Sequence, residues 1–208
     1  GLSAIRNVGE NVVESLIASR NSEGRFASFV DFLNKVDAGV CNKRVIESLI
    51  KAGAFDSLGH TRKGLLTIHI DAVESIAVTK KSQAMGQLDL FGMFDNQSEN
   101  SIAGVEINIP EDEWDKRLLL ANEREMLGLY VSDHPLFGVE HMLATLTTKS
   151  IADVAELPAG ASATVGGIIS SVQLKTTRAT GMRWAIVQLE DLAGNIEINI
   201  YSKQYEQL

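Results

Sequence analysis

The sequence predicts a multi-domain chain that is mainly α-helical at first and ends in a partial all-β domain. In residues 1–83 the apolar side chains recur at helical spacing between glycine-containing turns, whereas from Ala163 they recur at every second position, as in strands. Charge follows the same division: residues 1–83 contain 11 Lys or Arg and 9 Asp or Glu, while residues 84–208 contain 8 and 18. We therefore expect the first region to tolerate a polyanion and the second to repel one.

Composition indicates the cellular compartment of the chain. Cys41 is the single cysteine of the 208 residues, so an internal disulfide is impossible and a reducing compartment is expected. No apolar run reaches the roughly 18 residues needed to cross a bilayer, and no cleavable leader is evident. The sequence thus predicts a cytoplasmic chain without a membrane partner.

The first helical unit begins with a tight turn. Asn7 to Gly9 form the turn, and Val13, Leu16 and Ile17 then recur at helical spacing. Asn adopts left-handed backbone conformations more readily than most residues, so Asn7 suits a sharp turn. Only a few residues precede it, and we expect the chain to begin inside a larger protein.

A second unit of the same kind follows. Asn42 can cap a helix that runs through Lys51 with an apolar face, and a turn at Gly53 leads to another helix over about 61–78. Either unit taken alone is also compatible with an ordinary helical core in which the glycines only end helices.

The two units together are similar to a tandem helix-hairpin-helix domain, which grips duplex DNA by its backbone without reading the sequence. In that motif the amides at a helix N-terminus point at a DNA phosphate. Asn7 departs from the glycine that the motif often has there. The resemblance, with the cations in or near the turns, implies these duplex-binding residues: Arg6, Asn7, Gly9, Lys43, Arg44, Lys51, Gly53, Arg62 and Lys63.

An apolar hook lies between two glycines further on. Leu90 and Phe91 are adjacent, so neither a helix nor a strand would place both on one face, and Gly86 and Gly92 flank them. The hook resembles the bacterial sliding-clamp-binding pentapeptide, in which the Leu-Phe pair fills a pocket of the ring-shaped clamp. A buried turn of core side chains is the alternative. The implied clamp-binding residues are Gln87, Leu88, Asp89, Leu90 and Phe91.

Two longer stretches carry a wider resemblance. Residues 42–56, reading NKRVIESLIKAGAFD, and the pattern from Glu123 to Leu136 resemble the C-terminal region of the alpha subunit of bacterial DNA polymerase III, the C-family replicase. In that family a clamp-binding motif also follows the paired hairpins. The resemblance spans essentially all 208 residues and implies the beta sliding clamp, double-stranded DNA and other replicase subunits as partners.

The predicted organisation has five parts. They are a tandem helix-hairpin-helix domain over 1–83, a clamp-binding motif over 84–95, a flexible linker over 96–110, a helical connector over 111–157 and the N-terminal part of an OB-fold over 158–208.

The last part is predicted from three β-rich runs. They cover 164–175, 183–190 and 195–201, and the last two are joined by a hairpin loop over 191–194. This resembles the first three strands of an OB-fold, which implies single-stranded DNA as a further partner. The residues implied are Lys175, Arg178, Arg183 and Trp184. The alternative is that Trp184 belongs to the core, and the third strand is expected to be an exposed edge.

Catalytic and metal-binding residues are not predicted in this chain. A polymerase of this family needs carboxylates that hold two Mg²⁺ ions, and the resemblance places them in a catalytic domain outside this sequence. Four acids are clustered at the start of a predicted helix, where acids meet the helix dipole favourably: Glu111, Asp112, Glu113 and Asp115. His134 has no second ligand at metal-binding spacing and is interpreted as a turn residue.

Two other functions remain open at this stage. The helical region and the hook could form a protein-interaction adaptor with no DNA contact. The hairpins could instead belong to a nuclease or ligase whose chemistry lies elsewhere. Whether the longer protein is an enzyme therefore depends on sequence outside this chain, with a DNA-directed DNA polymerase as the expectation.

Overall fold

The computed structural model describes residues 1–84, 101–102, 105–178 and 180–207, and these residues form two units, Gly1–Ser132 and Asp133–Leu208. The first unit is helical. Its elements are a 3-10 turn (Leu2–Ala4), α1 (Glu10–Glu23), α2 (Phe29–Lys35), α3 (Lys43–Lys51), a second 3-10 turn (Asp56–Leu58), α4 (Arg62–Ala84), the short antiparallel pair β1 (Ser101–Ile102) and β2 (Val105–Glu106), and α5 (Lys116–Leu127).

Side-chain caps fix where several helices begin. The side chain of Asn42 accepts the Arg44 N–H at 2.9 Å, so α3 begins as predicted and ends at Lys51. Asp115 caps α5 in the same way. Helix α4 runs to Ala84, beyond the predicted end near Val78, because no Gly or Pro interrupts the sequence between Gly64 and Gly86.

The core of the first unit lies where α2, α3 and α4 meet. The Phe32 and Phe55 rings contact edge to face, with their centroids 4.8 Å apart, and Phe29 packs beside them. Every apolar residue of α3 is buried, including Ile46 and Leu49, as its periodicity predicts. Burial of such side chains supplies the main stabilisation, roughly 1.5–3 kcal/mol each.

The domain boundaries differ from those predicted. Ile107 and Ile109 lie in the expected flexible linker, yet both pack against the core of the first unit. Helix α5 also belongs to that unit, and the division falls after Ser132. Two isoleucines among polar neighbours give little periodic signal, which is why composition alone indicates a linker.

The second unit contains the predicted three-stranded antiparallel sheet. Its elements are α6 (Glu140–Leu146), α7 (Ile151–Val154), β3 (Ile168–Thr176), β4 (Arg183–Glu190), β5 (Asn195–Ile200) and α8 (Ser202–Tyr205). The strand order is β3-β4-β5. The fold class is confirmed: the chain is mostly helical and ends in a β domain.

Local hydrogen bonds explain where the strands of this sheet begin and end. The Asp191 carboxylate accepts the N–H groups of Ala193 and Gly194, both at 2.8 Å, and closes the β4–β5 hairpin. Strand β3 begins at Ile168 instead of Thr164, because the Thr164 carbonyl accepts the Thr148 N–H at 2.8 Å in a loop contact. Within the described part of the chain, β5 pairs with β4 alone.

Candidate nucleic-acid interface

Four of the residues predicted to bind duplex DNA line one cleft of the first unit. Arg6, Asn7, Arg44 and Lys51 contribute to a depression of about 450 Å³ between the first turn, α3 and α5. We name this depression the hairpin cleft. The remaining residues that line it are Glu47, Ser48, Glu125 and Met126.

The backbone of the first turn is held firmly against its neighbours. Asn7 has a left-handed φ of 66°, as predicted for this position. Its Nδ2 donates to the Ser48 Oγ at 3.0 Å, and the Arg6 N–H donates to the Met126 carbonyl at 2.8 Å. Helices α3 and α5 therefore fix the side of the cleft from which Arg6 projects.

The N-terminus of α1 follows directly on this turn. Gly9 is its N-cap residue and has extended backbone angles, and no side chain caps the helix. The Gly9 carbonyl accepts the N–H groups of Val12 and Val13, whereas Glu10 and Asn11 are exposed at the first turn. An uncapped helix start presents N–H groups and partial positive charge to an anion.

The cations of the cleft differ in how they are paired. Lys51 pairs with Glu47 one turn earlier, with Nζ and Oε1 2.7 Å apart. Arg6 and Arg44 are exposed, and no carboxylate of the described residues lies within ion-pair distance of either guanidinium. A partly exposed pair is worth at most about 1 kcal/mol, so a phosphate could compete with Glu47 for Lys51.

Lys43 and Lys63 lie outside the cleft. Lys43 pairs with Glu74 of α4, and Lys63 pairs with Asp112. The hydrogen bond from Lys63 lowers the pKa of the Asp112 carboxyl below its usual value. Both lysines therefore already have an acidic partner within the first unit.

Arg62 is buried, contrary to its predicted place on the DNA surface, and the half-buried Gly53 packs against it. The Arg62 side chain is only 8% exposed, and its Nη2 lies 2.6 Å from Asp56 Oδ2. A Cβ on Gly53 would fall 2.2 Å from the same Nη2, and the Gly53 N–H donates to the Ile50 carbonyl at 3.0 Å. Gly53 is thus required for the close approach of Arg62, and its N–H group is already engaged within the unit.

Glu123 is the second partner of Arg62 and links α4 to α5. Its side chain is 1% exposed, and its Oε2 lies 3.2 Å from Arg62 Nη1. The same carboxylate accepts the Ser132 O–H at 2.6 Å, the Ser132 N–H at 2.7 Å and the Val131 N–H. Burial acts to raise the pKa of Glu123, but these hydrogen bonds outweigh it and hold that pKa below the usual value.

The link between Arg62 and Glu123 could not be predicted from the sequence. The two residues are 61 positions apart, and neither spacing nor periodicity relates them. The one available signal is that Glu123 lies in the stretch that resembles the replicase, to which a structural role is assigned.

The acids of this cluster cap two helices, of which one is the helix expected. Glu113 accepts the Arg62 N–H at 2.7 Å and the Lys63 N–H at 3.0 Å, so it caps α4, which precedes it by 50 residues. Asp115 alone caps α5, the helix that follows the cluster. We refer to residues 110–115 as the acidic strap.

The single-strand candidates of the second unit divide between two faces of the sheet. Lys175 and Trp184 are direct cross-strand partners and share one face, whereas Arg183 pairs with Thr176 and projects from the other. Trp184 is half-buried and stacks on Tyr201, with ring centroids 6.4 Å apart. Arg178 is exposed in the connecting loop.

The hook falls outside the described residues. Gln87, Leu88, Asp89, Leu90 and Phe91 all lie between Ala84 and Ser101, a range that the structure does not describe. Their predicted clamp contact therefore stays a prediction.

Metal clusters and membrane-spanning helices are both absent from the described ranges. There, no group of three or more His, Cys, Asp or Glu could hold a metal ion, and no helix is long and apolar enough to span a bilayer. The Nδ1 of His134 accepts the Leu136 N–H at 3.2 Å, which confirms its interpretation as a turn residue.

Comparison with known proteins covers almost the whole chain. A protein-family profile described as a helix-hairpin-helix motif matches residues 1–65. The chain is 52% identical over 207 residues to the DNA polymerase III subunit alpha of Mycobacterium tuberculosis H37Rv, covering 99% of this chain and 17% of that protein. Identity is 48% over 211 residues for the Saccharopolyspora erythraea subunit and 34% over 203 residues for that of Vibrio cholerae, covering 99% and 98% of this chain and 18% and 17% of those proteins. The chain thus spans less than a fifth of the length of these curated relatives.

Proposed function

The chain belongs to the DNA polymerase III alpha subunit family, and from this premise we propose that it tethers a replicative polymerase to duplex DNA and to the sliding clamp. On this proposal the longer protein is a DNA-directed DNA polymerase of the cytoplasm. The catalytic carboxylates and their Mg²⁺ ions lie in another domain. Other replicase subunits are further partners of the assembly.

The hairpin cleft is the observation that carries the proposal for duplex DNA. Arg6 and Arg44 converge there from separate segments, beside the uncapped start of α1. Backbone amides and guanidinium groups both suit phosphate oxygens, and neither needs a particular base. This arrangement supports binding that is independent of sequence, as a polymerase that moves along its template requires.

The balance of charge in the cleft supports weak binding. Its three cations are accompanied by the carboxylates of Glu47 and Glu125. Because few phosphates can be neutralised, the affinity should be modest and should fall as salt rises. Such a contact keeps DNA near the polymerase without holding it in one register.

Removal of one cleft cation should weaken duplex binding and reduce its salt dependence. For Arg6→Gln or Arg44→Gln we expect a several-fold lower affinity at low salt, and a plot of log affinity against log salt that is shallower by about one unit. Fluorescence anisotropy with two duplexes of unrelated sequence measures both quantities. The two duplexes should give equal affinities.

Arg25→Gln is the matched control for this experiment. Arg25 is exposed in the same unit but does not line the cleft, so its loss should leave the salt dependence unchanged. Absence of binding at low salt, or a strong preference for one duplex, would favour the adaptor function instead. The relatives described above carry a polymerase name, which gives no support to a nuclease or ligase.

The clamp contact rests on the sequence of the hook. Leu90 and Phe91 form an aliphatic and aromatic pair of the type that anchors interfaces, and Gln87 can donate and accept hydrogen bonds at a pocket rim. Because the chain is a member of a replicase family, the pocket that accepts this pair is proposed to lie on a sliding clamp.

Single-stranded DNA is proposed as the ligand of one face of the second unit. Lys175 and Trp184 share that face, so Trp184→Ala should lower single-strand affinity by about 1–3 kcal/mol, the usual contribution of one stacked base. Arg183→Gln is the control, because Arg183 projects from the opposite face. Fluorescence anisotropy on an oligothymidine measures both affinities. Equal losses in the two variants would point to general charge attraction. An unchanged affinity in Trp184→Ala would mean that Trp184 only packs within the unit.

A further inference from the structure

The two hairpins of the first unit differ in whether an external anion can reach them. We propose that the acidic strap seals the start of α4, so that duplex phosphates are contacted only at the start of α1 and in the hairpin cleft beside it. This inference rests on the proposed duplex binding and specifies the surface through which it occurs. A tandem domain that appears twofold in sequence would then act as a single DNA contact.

The strap occupies the groups that a phosphate would need. The two carboxylate oxygens of Glu113 accept the first N–H groups of α4, those of Arg62 and Lys63, at 2.7 and 3.0 Å. A phosphate has the same charge and acceptor geometry, so it could bind these amides only by displacing Glu113. The Lys63 ammonium, the nearest exposed cation, is engaged with Asp112 of the same strap.

The backbone of the strap is fixed as well as its side chains. The Thr61 hydroxyl donates to the Pro110 carbonyl at 3.2 Å, and a Cβ on Gly64 would fall 2.0 Å from that carbonyl oxygen. The approach is therefore closer than any other residue at Gly64 would allow. Just before the strap, Ile107 and Ile109 pack against the core and anchor its N-terminal side.

The start of α1 and the hairpin cleft lack this cover. Helix α1 has no side-chain cap at Gly9, and no carboxylate in the described ranges pairs with Arg6 or Arg44. At the start of α4, by contrast, Arg62 is buried between Asp56 and Glu123. The two helix starts thus differ in their backbone amides, cations and solvent access, and each difference favours the start of α1 as the DNA contact.

A pair of charge-removing variants tests the asymmetry in the 208-residue chain. Lys63→Gln should leave the salt dependence of duplex binding unchanged, whereas Arg44→Gln should reduce it by about one unit. Both replacements remove one positive charge from an exposed side chain of the same unit. Equal reductions in the two variants would overturn the asymmetry while leaving duplex binding itself intact.

The NMR chemical shifts of backbone amides report the DNA contact directly. When a duplex is titrated into the ¹⁵N-labelled chain, we expect shifts at Glu10 and Asn11 and none beyond noise at Arg62 and Lys63. Shifts of equal size at both helix starts would overturn the inference. Absence of any shift or of any binding would overturn the proposed duplex function together with it.

The seal can also be tested without DNA. In Glu113→Ala the amides of Arg62 and Lys63 lose their acceptor, so their hydrogen exchange should accelerate at least several-fold. Glu111→Ala is the matched control, because Glu111 lies in the strap and contributes no hydrogen bond to α4 among the described residues. Unchanged exchange in Glu113→Ala would show that the strap does not seal this helix.

Discussion

Simultaneous replacement of Leu90 and Phe91 by alanine should abolish measurable binding of the chain to a purified sliding clamp. Two desolvated anchors should cost on the order of 2–4 kcal/mol each, which together weaken binding at least about a thousandfold. Folding should be unaffected, because on the proposed clamp contact the pair fills a pocket of the clamp and not the core of this chain. Calorimetric titration of the double variant against the clamp measures the change in affinity.

Met93→Ala with Phe94→Ala is the matched control for the hook. These residues are also an adjacent apolar pair, but they lie outside the clamp-binding pentapeptide. Their replacement should lower affinity little. Wild-type affinity in the Leu90 and Phe91 double variant would refute the clamp contact, and a fall of several degrees in its melting temperature would place the pair in a core.

Features fixed by neighbouring residues could be predicted from the sequence. Asn42 followed by an apolar repeat determines where α3 begins, and alternation over 195–200 determines β5. The left-handed turn at Asn7 has the same origin. In each case the hydrogen bonds or the periodicity that form the element come from residues within one or two turns of chain.

Features that depend on contacts between residues far apart in the sequence could not be predicted. The sequence predicts Arg62 to be a surface cation, because its partner Glu123 lies 61 positions away and contacts it only in the folded chain. Glu113 reads as a cap for the helix that follows it, although it caps α4. The same holds for the candidate site. Charge and turn position predict each residue of the hairpin cleft separately. Tertiary contacts decide which of the cations pair with a carboxylate.

Loss of the buried Glu123 carboxylate should strongly destabilise the first unit. Glu123→Ala leaves the Arg62 guanidinium with Asp56 as its acidic partner and removes the acceptor of the Ser132 hydroxyl. Breaking a buried pair in this way typically costs about 3–5 kcal/mol, which lowers the melting temperature by roughly 10 °C or more. Urea unfolding followed by circular dichroism measures the change.

Glu125→Ala is the control for that experiment, because Glu125 lies on the same helix and is exposed. Its replacement should alter the free energy of unfolding by less than about 0.5 kcal/mol. Equal effects of the two substitutions would mean that the Arg62 pair does not stabilise the unit.

The same carboxylate should make the first unit sensitive to acid. The folded-state pKa of Glu123 lies below its usual value, so its stabilisation is fully present above the unfolded pKa of about 4.3 and is lost as pH falls through the lower folded value. Glu123→Gln removes this titration while preserving the shape of the side chain. The difference in unfolding free energy between wild type and Glu123→Gln should therefore be constant near neutral pH and shrink below about pH 4. A difference that stays constant throughout the acid range would show that the Glu123 pKa is the same in the folded and unfolded chains.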